Sequence, residues 1–177
     1  MTLAIAEGVL DFTPLYGHPT LSNVSIECAG DQPSFDLVFA RGLPALTHLS
    51  LSGGEWRSLD LEPLRGLPLR GLTLIHQYIA NVDLTAIAQP ALEHLMLQEL
   101  EIREGYMDLF PLACCKQLRF LSLLHAEVGT IDVSGIAKLT RLTRFDAPNF
   151  KSMMMAASFQ PIEAPGLKRW QANIGVD

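Results

Sequence analysis

The sequence is short of the residues from which most catalytic and metal centres are built. Its three cysteines are Cys28, Cys114 and Cys115, an odd count with two of them adjacent, which is not a disulfide framework. Reduced thiols in a cytosolic protein are the reading this supports. There is no Cys-x-x-Cys pair, no phosphate-binding glycine loop, no Gly-x-Ser-x-Gly elbow and no His-Glu-x-x-His. Charged residues make up only 18% of the chain, and Asp plus Glu outnumber Lys plus Arg by 19 to 13. The clustered positive charge of a nucleic-acid or anionic-membrane footprint is therefore missing. No apolar run approaches the ~18 residues of a membrane span. Residues 1–7 have no basic n-region and meet an acid early, unlike a signal peptide. The expectation is a soluble, cytoplasmic protein that binds neither nucleic acid nor membrane and carries no cofactor.

What the chain has in plenty is leucine at fixed intervals. Leu46-Thr47-His48-Leu49-Ser50-Leu51 places leucine at offsets 0, 3 and 5. The pattern returns in segments starting at Leu69, Leu92 and Leu118, and more loosely at Leu21, Leu142 and Leu167. The spacings are 25, 23, 23, 26, 24 and 25 residues. A period in this range means stacked units, none of which can bury its apolar face alone. Within each copy, offsets 3 and 5 are apolar and offset 4 is mostly small or polar, the alternation of a half-buried strand. A further apolar site ten residues after four of the starts, at Trp56, Ile79, Ile102 and Val128, is expected to turn into the core.

A second motif precedes each leucine segment by nine or ten residues. It opens on Asp11, Asp36, Asp60, Asp83, Asp108 and Asp132 and degenerates at 158–162. Several copies carry proline just after the acid, as in Asp60-Leu61-Glu62-Pro63-Leu64. Asp is a good N-cap, and proline is tolerated where a missing N–H has no partner. The spacing predicts a short α- or 3₁₀-turn of about six to eight residues in each copy.

The closest stretch, Ile131-Asp132-Val133-Ser134-Gly135-Ile136-Ala137-Lys138-Leu139-Thr140-Arg141-Leu142, resembles the leucine-rich repeat family, in particular the bacterial internalin-like type. Asp11-Phe12-Thr13-Pro14-Leu15 is similar to that family's turn-helix motif. The resemblance covers roughly residues 10–173. It implies an α/β solenoid of about seven repeats with a parallel sheet on the concave face and short α- or 3₁₀-helices on the convex face. The chain then reads as a single domain over 1–177, with 1–20 as N-terminal cap and first helix, 21–166 as repeats, and 167–177 as the C-terminal edge strand, where Trp170 covers the open core. The segment 153–157, with three methionines, reads as adaptable core filler. One departure is clear. The family's buried asparagine ladder falls on Ala29, Gly54, Gln77, Leu100, Ala126 and Phe150, so the ascending loops are expected to be irregular.

The remaining chemistry is thin. Cys114 and Cys115 read as small apolar residues of a convex turn. His48 and His94 share one offset, and His76 and His125 another, each pair two repeats apart. Two strand spacings are ~10 Å, too far for one Zn²⁺ with Zn–N bonds of ~2.0–2.1 Å. The histidines are therefore expected on the surface and not in a metal site. Offsets 2, 4 and 6 should face outward from the sheet. In the middle of the stack they include Ile75, Met96, Phe120 and Leu124, apolar where solvent is expected, with Arg144, Asp146 and Arg169 on one side. An apolar centre with an Arg-containing rim is the anatomy of a protein interface. The predicted partner site is Ile75, His94, Met96, Phe120, Ser122, Leu124, Arg144, Asp146 and Arg169, with no catalytic or metal residue. The expected function is a non-enzymatic module holding a protein partner on its concave face, such as an inhibitor or immunity protein for a toxin or enzyme. A small metal- or His-dependent hydrolase and a fragment of a larger adaptor are the alternatives.

Overall fold

The computed structural model describes residues 2–5, 12–28, 36–53, 59–79, 82–102, 106–128, 130–146, 149–150 and 169–171. Asp11, Ala29, Gly54, Trp56, Pro148 and the segments 153–157 and 158–162 lie outside the described residues. The first five strands are β1 (Thr2–Ile5), β2 (Asn23–Cys28), β3 (His48–Ser52), β4 (Gly71–Ile79) and β5 (His94–Ile102). Next come β6 (Tyr106–Asp108), β7 (Phe120–Ser122), β8 (Glu127–Val128) and β9 (Thr130–Asp132). The last are β10 (Arg144–Asp146), β11 (Asn149–Phe150) and β12 (Arg169–Gln171). Strands β1, β2, β3, β4, β5, β7, β10 and β12 lie side by side in chain order, all parallel. The short strands β8 and β11 continue this sheet beside β5, while β6 and β9 form a separate parallel pair.

The leucine pattern produces this arrangement directly. Along a strand, alternate residues face one side. Leu49, Leu51, Leu72, Leu74, Leu95, Leu97, Leu121 and Leu123 are all at most 1% exposed. Burying one such side chain is worth roughly 1.5–3 kcal/mol. The strand entrances repeat one hydrogen-bonding device. The carbonyl of Ser22 accepts the N–H groups of both Thr47 and His48, that of Thr47 those of Arg70 and Gly71, and that of Arg70 those of Glu93 and His94. Glu93 and Arg119 do the same for the next two strands. The threonines at the entrances of β3 and β10 add side-chain bonds, Thr47 Oγ1 to the Ser22 carbonyl and Thr143 Oγ1 to that of Arg119.

Among the described residues, each crossover from β1 to β10 along the main sheet carries a 3₁₀-turn, at Thr13–Leu15, Val38–Gly42, Glu62–Leu64, Leu84–Ala86, Phe110–Cys114 and Ile136–Lys138. These turns are too short for an α-helix, whose first bond must span four residues. Proline sits in the first two positions of three of them. The Asp column works, but in three of the five described copies it stands one step before the helix cap and in the last copy three steps before it. The carboxylates of Asp36, Asp60, Asp83, Asp108 and Asp132 each accept the N–H two residues on, at 2.7–3.1 Å. Only Asp83 is itself the N-cap; in the 36, 60 and 108 copies the following leucine is, and in the last copy Gly135 is. The bonds from Thr85 and Ser134 hold the Asp83 and Asp132 carboxyls below the usual aspartate range. Leu37, Leu61, Leu84 and Leu109, next after each acid, are buried and close the core from the side opposite the sheet.

In the described part of β4 and β5 the ascending segments are more regular than the missing asparagine ladder suggests. Strand pairing resumes there, with Gln77, Tyr78 and Ile79 against Leu100, Glu101 and Ile102, so these backbone groups are satisfied by the sheet itself. The ladder positions Leu100 and Ala126 are buried, as are Ile79, Ile102 and Val128. What bends the chain between the two runs of pairing is a residue at offset 7. Gly53, Glu99 and His125 all stand there, with φ of 72°, 54° and 59°. A side chain in that left-handed region costs of order 1–2 kcal/mol, whereas glycine enters it freely. His125 is exposed. Replacing His125 by glycine should raise stability by about 0.5–1 kcal/mol, after the larger chain entropy of unfolded glycine is deducted. A lower urea midpoint for His125→Gly would show that the imidazole makes a contact outweighing the strain.

Candidate functional site

The outward face of the sheet is built in rows, because neighbouring strands are in register. One row runs Asn23, His48, Gly71, His94, Phe120, Arg144, Arg169 across seven strands. The next runs Ser25, Ser50, Thr73, Met96, Ser122, Asp146, Gln171. A third places Glu27, Ser52, Ile75 and Gln98 side by side. Four of the predicted partner residues, His94, Phe120, Arg144 and Arg169, are therefore consecutive neighbours. Met96 sits diagonal both to Ile75 and to Phe120, a separation that long side chains bridge. Leu124 follows β7.

Their exposure differs from the sequence expectation. Ile75, Met96, Phe120 and Leu124 are half-buried rather than open, and His94 is exposed. Ser122 and Asp146 are 0% and 1% exposed, so neither can touch a partner directly. Both are covered by neighbours on the same face. Gln98 Nε2 donates to Ser122 Oγ at 2.8 Å. The Arg144 guanidinium closes on Asp146 with two contacts, Nε to Oδ1 at 3.0 Å and Nη2 to Oδ2 at 2.8 Å. The carboxylate holds the Arg144 pKa above its ordinary value, chiefly through this hydrogen bond. The same guanidinium lies 5.0 Å from the centre of the Phe120 ring. Arg144 is thus clamped from beneath by Asp146 while its flat face covers Phe120, a cation–π contact of roughly 0.5–1 kcal/mol.

A polar notch opens along the first row. Gly71 has no side chain between His48 and His94, and a Cβ placed there would lie 2.6 Å from His48 Cδ2. The cleft at this place has a volume of about 410 Å³ and is lined by Ser25, Ser50 and Thr73 as well as the two histidines. Thr47 Oγ1 lies 3.0 Å from the Ser22 carbonyl oxygen and 2.9 Å from His48 Nδ1. The one hydroxyl proton goes either to the Ser22 carbonyl or to His48 Nδ1, so the ring nitrogen donates or accepts according to its tautomer. Either bond fixes the ring with its Nε2 edge over Gly71. The sequence does carry a signal for the notch, a lone glycine between two histidines in one row, which only the register makes visible.

Two further features lie off this face. Phe110 and Tyr106 are about half exposed, at 49% and 50%, and Lys138 Nζ sits 4.9 Å from the Phe110 ring centre. Cys114 is exposed and Cys115 buried. Burial, with the neighbouring Cys114, pushes the Cys115 thiol up to about 12. It stays protonated at neutral pH and is no nucleophile. It stands three residues before Leu118, as Leu43 and Leu139 stand before Leu46 and Leu142, and it fills the same core position. Among the described residues no three of His, Cys, Asp and Glu gather as a metal ion would require. Among them, too, no helix is long and apolar enough to cross a membrane. The chain matches no family model and no curated protein.

Proposed function

We propose that this chain is a leucine-rich repeat solenoid of about seven repeats acting as a non-enzymatic recognition module. It holds a protein partner on its concave sheet face, with no cofactor, nucleic acid or membrane, as an inhibitor or immunity protein would. The observation that supports this reading is the Phe120–Arg144–Asp146 arrangement. A buried carboxylate holds an arginine in one pose over an aromatic ring, beside the half-buried Met96 and the exposed His94. Aromatic and arginine side chains are the residues that dominate interfaces, above all when their rotamers are fixed before binding. Ile75, His94, Met96, Phe120, Leu124 and Arg144 form the contact surface; Arg169 follows Arg144 in its row, its side chain lying outside the described residues. Ser122 and Asp146 support it from below.

The test is a partner recovered by co-purification from native lysate and then titrated calorimetrically. Phe120→Ala should weaken its binding by more than ~1 kcal/mol, since the ring is the anchor. Stability should fall by no more than about 1 kcal/mol, because the ring is half-exposed and loses mainly its contact with Arg144. Arg144→Glu is not a clean companion. It would set a second carboxylate against the buried Asp146 and lower stability on its own. The control is Lys138→Glu on the opposite face, which should bind normally. Unchanged affinity in Phe120→Ala would remove the sheet face from consideration and turn attention to Phe110 and Lys138.

A further inference from the structure

The first row of the sheet face has a charge character opposite to that of the chain. The protein has 19 acids against 13 bases. Yet the row from Asn23 to Arg169 contains two histidines and two arginines and no acid. In the three rows described above, from β2 to β10, the outward positions hold two acids, while Glu99 and Glu101 on β5 and Glu127 on β8 stand further along the strands. Asp146 is closed off by Arg144, and Glu27 lies two rows away from the histidines. The nearest charged groups at the strand entrances, Arg70 and Glu93, face each other at 3.4 Å. The notch beside Gly71 is lined by three hydroxyls, two imidazoles, the Asn23 amide and the apolar Val24 and Leu49, and by no carboxylate.

We propose that this notch receives one acidic side chain of the protein partner, its carboxylate lying between the imidazoles of His48 and His94. The assignment rests on the sheet face being the working surface. A carboxylate accepts hydrogen bonds only. Ser50 and Thr73 supply hydroxyl groups in the cleft lining, and each imidazole donates from Nε2 in the tautomer that carries its proton there. Gly71 lets the His48 ring lie across its strand at the edge of the cleft, since any side chain there would meet the ring and push it out of place. A lysine or arginine side chain would find no counter-charge in the notch, and an apolar one would leave the hydroxyls without water or a partner.

The probes are the capped peptides acetyl-Gly-Glu-Gly-amide and acetyl-Gly-Gln-Gly-amide, titrated into the full chain and followed by NMR at the histidine rings and the Gly71 amide. The glutamate peptide should give saturable shifts at His48, His94 and Gly71, at least tenfold tighter than the glutamine peptide. Gly71→Ala should abolish them while circular dichroism stays unchanged, because the added methyl meets only an exposed ring that can swing away. His94→Gln should weaken them without filling the notch. Equal binding of the two peptides, no saturable shift, or normal binding to Gly71→Ala would each overturn the proposal. So would inorganic phosphate displacing the glutamate peptide at lower concentration than a glutamate-bearing peptide of equal length, which would make the notch a small-anion site. With the partner in hand the two readings separate. Loss in Phe120→Ala with none in Gly71→Ala rejects the notch alone, whereas no loss in either rejects the whole face.

Discussion

Leu95→Ala should cost about 2–5 kcal/mol, read as a drop in the urea midpoint at constant slope. Leu95 is 0% exposed at the middle of the sheet, with Leu72 on one side and Leu121 on the other in register. Truncation removes the transfer energy of three carbons and leaves a hole whose walls are themselves pinned. Leu92 and Leu97 on the same segment are also 0% exposed, and the strand is held on both edges by backbone pairing. A site that cannot collapse sits toward the upper end of that range. Leu21, in contrast, is only half-buried near the first edge. Leu21→Ala should cost clearly less, and the ranking of the two is the sharper measurement. A cost below ~1 kcal/mol at Leu95 would mean the neighbouring strands close over the gap.

That ranking was readable in the sequence, because apolar residues at offsets 0, 3 and 5 recur seven times. Period-two alternation fixes which side of a strand is buried, and the recurrence fixes which strands are neighbours. Cys115 was readable as a small apolar residue of a turn, and it stands three residues before Leu118 as Leu43 and Leu139 stand before Leu46 and Leu142. The turn acids were readable as backbone acceptors, though not the displacement of all but Asp83 from the N-cap. An Asx-turn and an N-cap use the same side chain and the same type of bond. The left-handed column was hidden because glycine occupies it at Gly53 while Glu99 and His125 hold the same geometry elsewhere. Once the copies are aligned, Gly53 is the clue. The candidate site was legible in its position and not in its exposure. That Ser122 and Asp146 are covered follows from Gln98 on the neighbouring strand and Arg144 two residues away on the same strand folding over them, side-chain poses that period-two alternation does not record.

Gly135→Ala should destabilise the protein by about 1–3 kcal/mol, although the residue lies in an exposed row of turns. Its φ of −67° is open to any amino acid, so left-handed geometry is not why glycine stands there. Space is. An added Cβ would lie 2.5 Å from the Leu109 carbonyl oxygen, 2.8 Å from Phe110 Cα and 3.0 Å from the Phe110 carbonyl oxygen. All three are backbone atoms, which cannot rotate out of the way as the His48 ring can. At the same place after the turn acid, the other copies carry Phe39, Pro63, Ala86 and Pro111, so the close approach is particular to the last two turns. Those turns are joined by the Leu109 N–H bond to the Asp132 carbonyl, by Lys116 Nζ on the Lys138 carbonyl, and by Lys138 over Phe110. Separating them to admit a methyl would stretch all three and loosen Leu109 and Ile136 beneath. The gain of about 0.4–1 kcal/mol from a stiffer unfolded chain works in the opposite direction and is outweighed. Gly66→Ala is the control, since nothing lies within 4 Å of its Cβ position and only the φ of +78° resists. Chemical denaturation of the two variants decides the matter. If Gly135→Ala is as stable as the parent protein, the turns slide apart freely and the sheet alone sets the spacing between β7 and β10, the strands that carry Phe120 and Arg144.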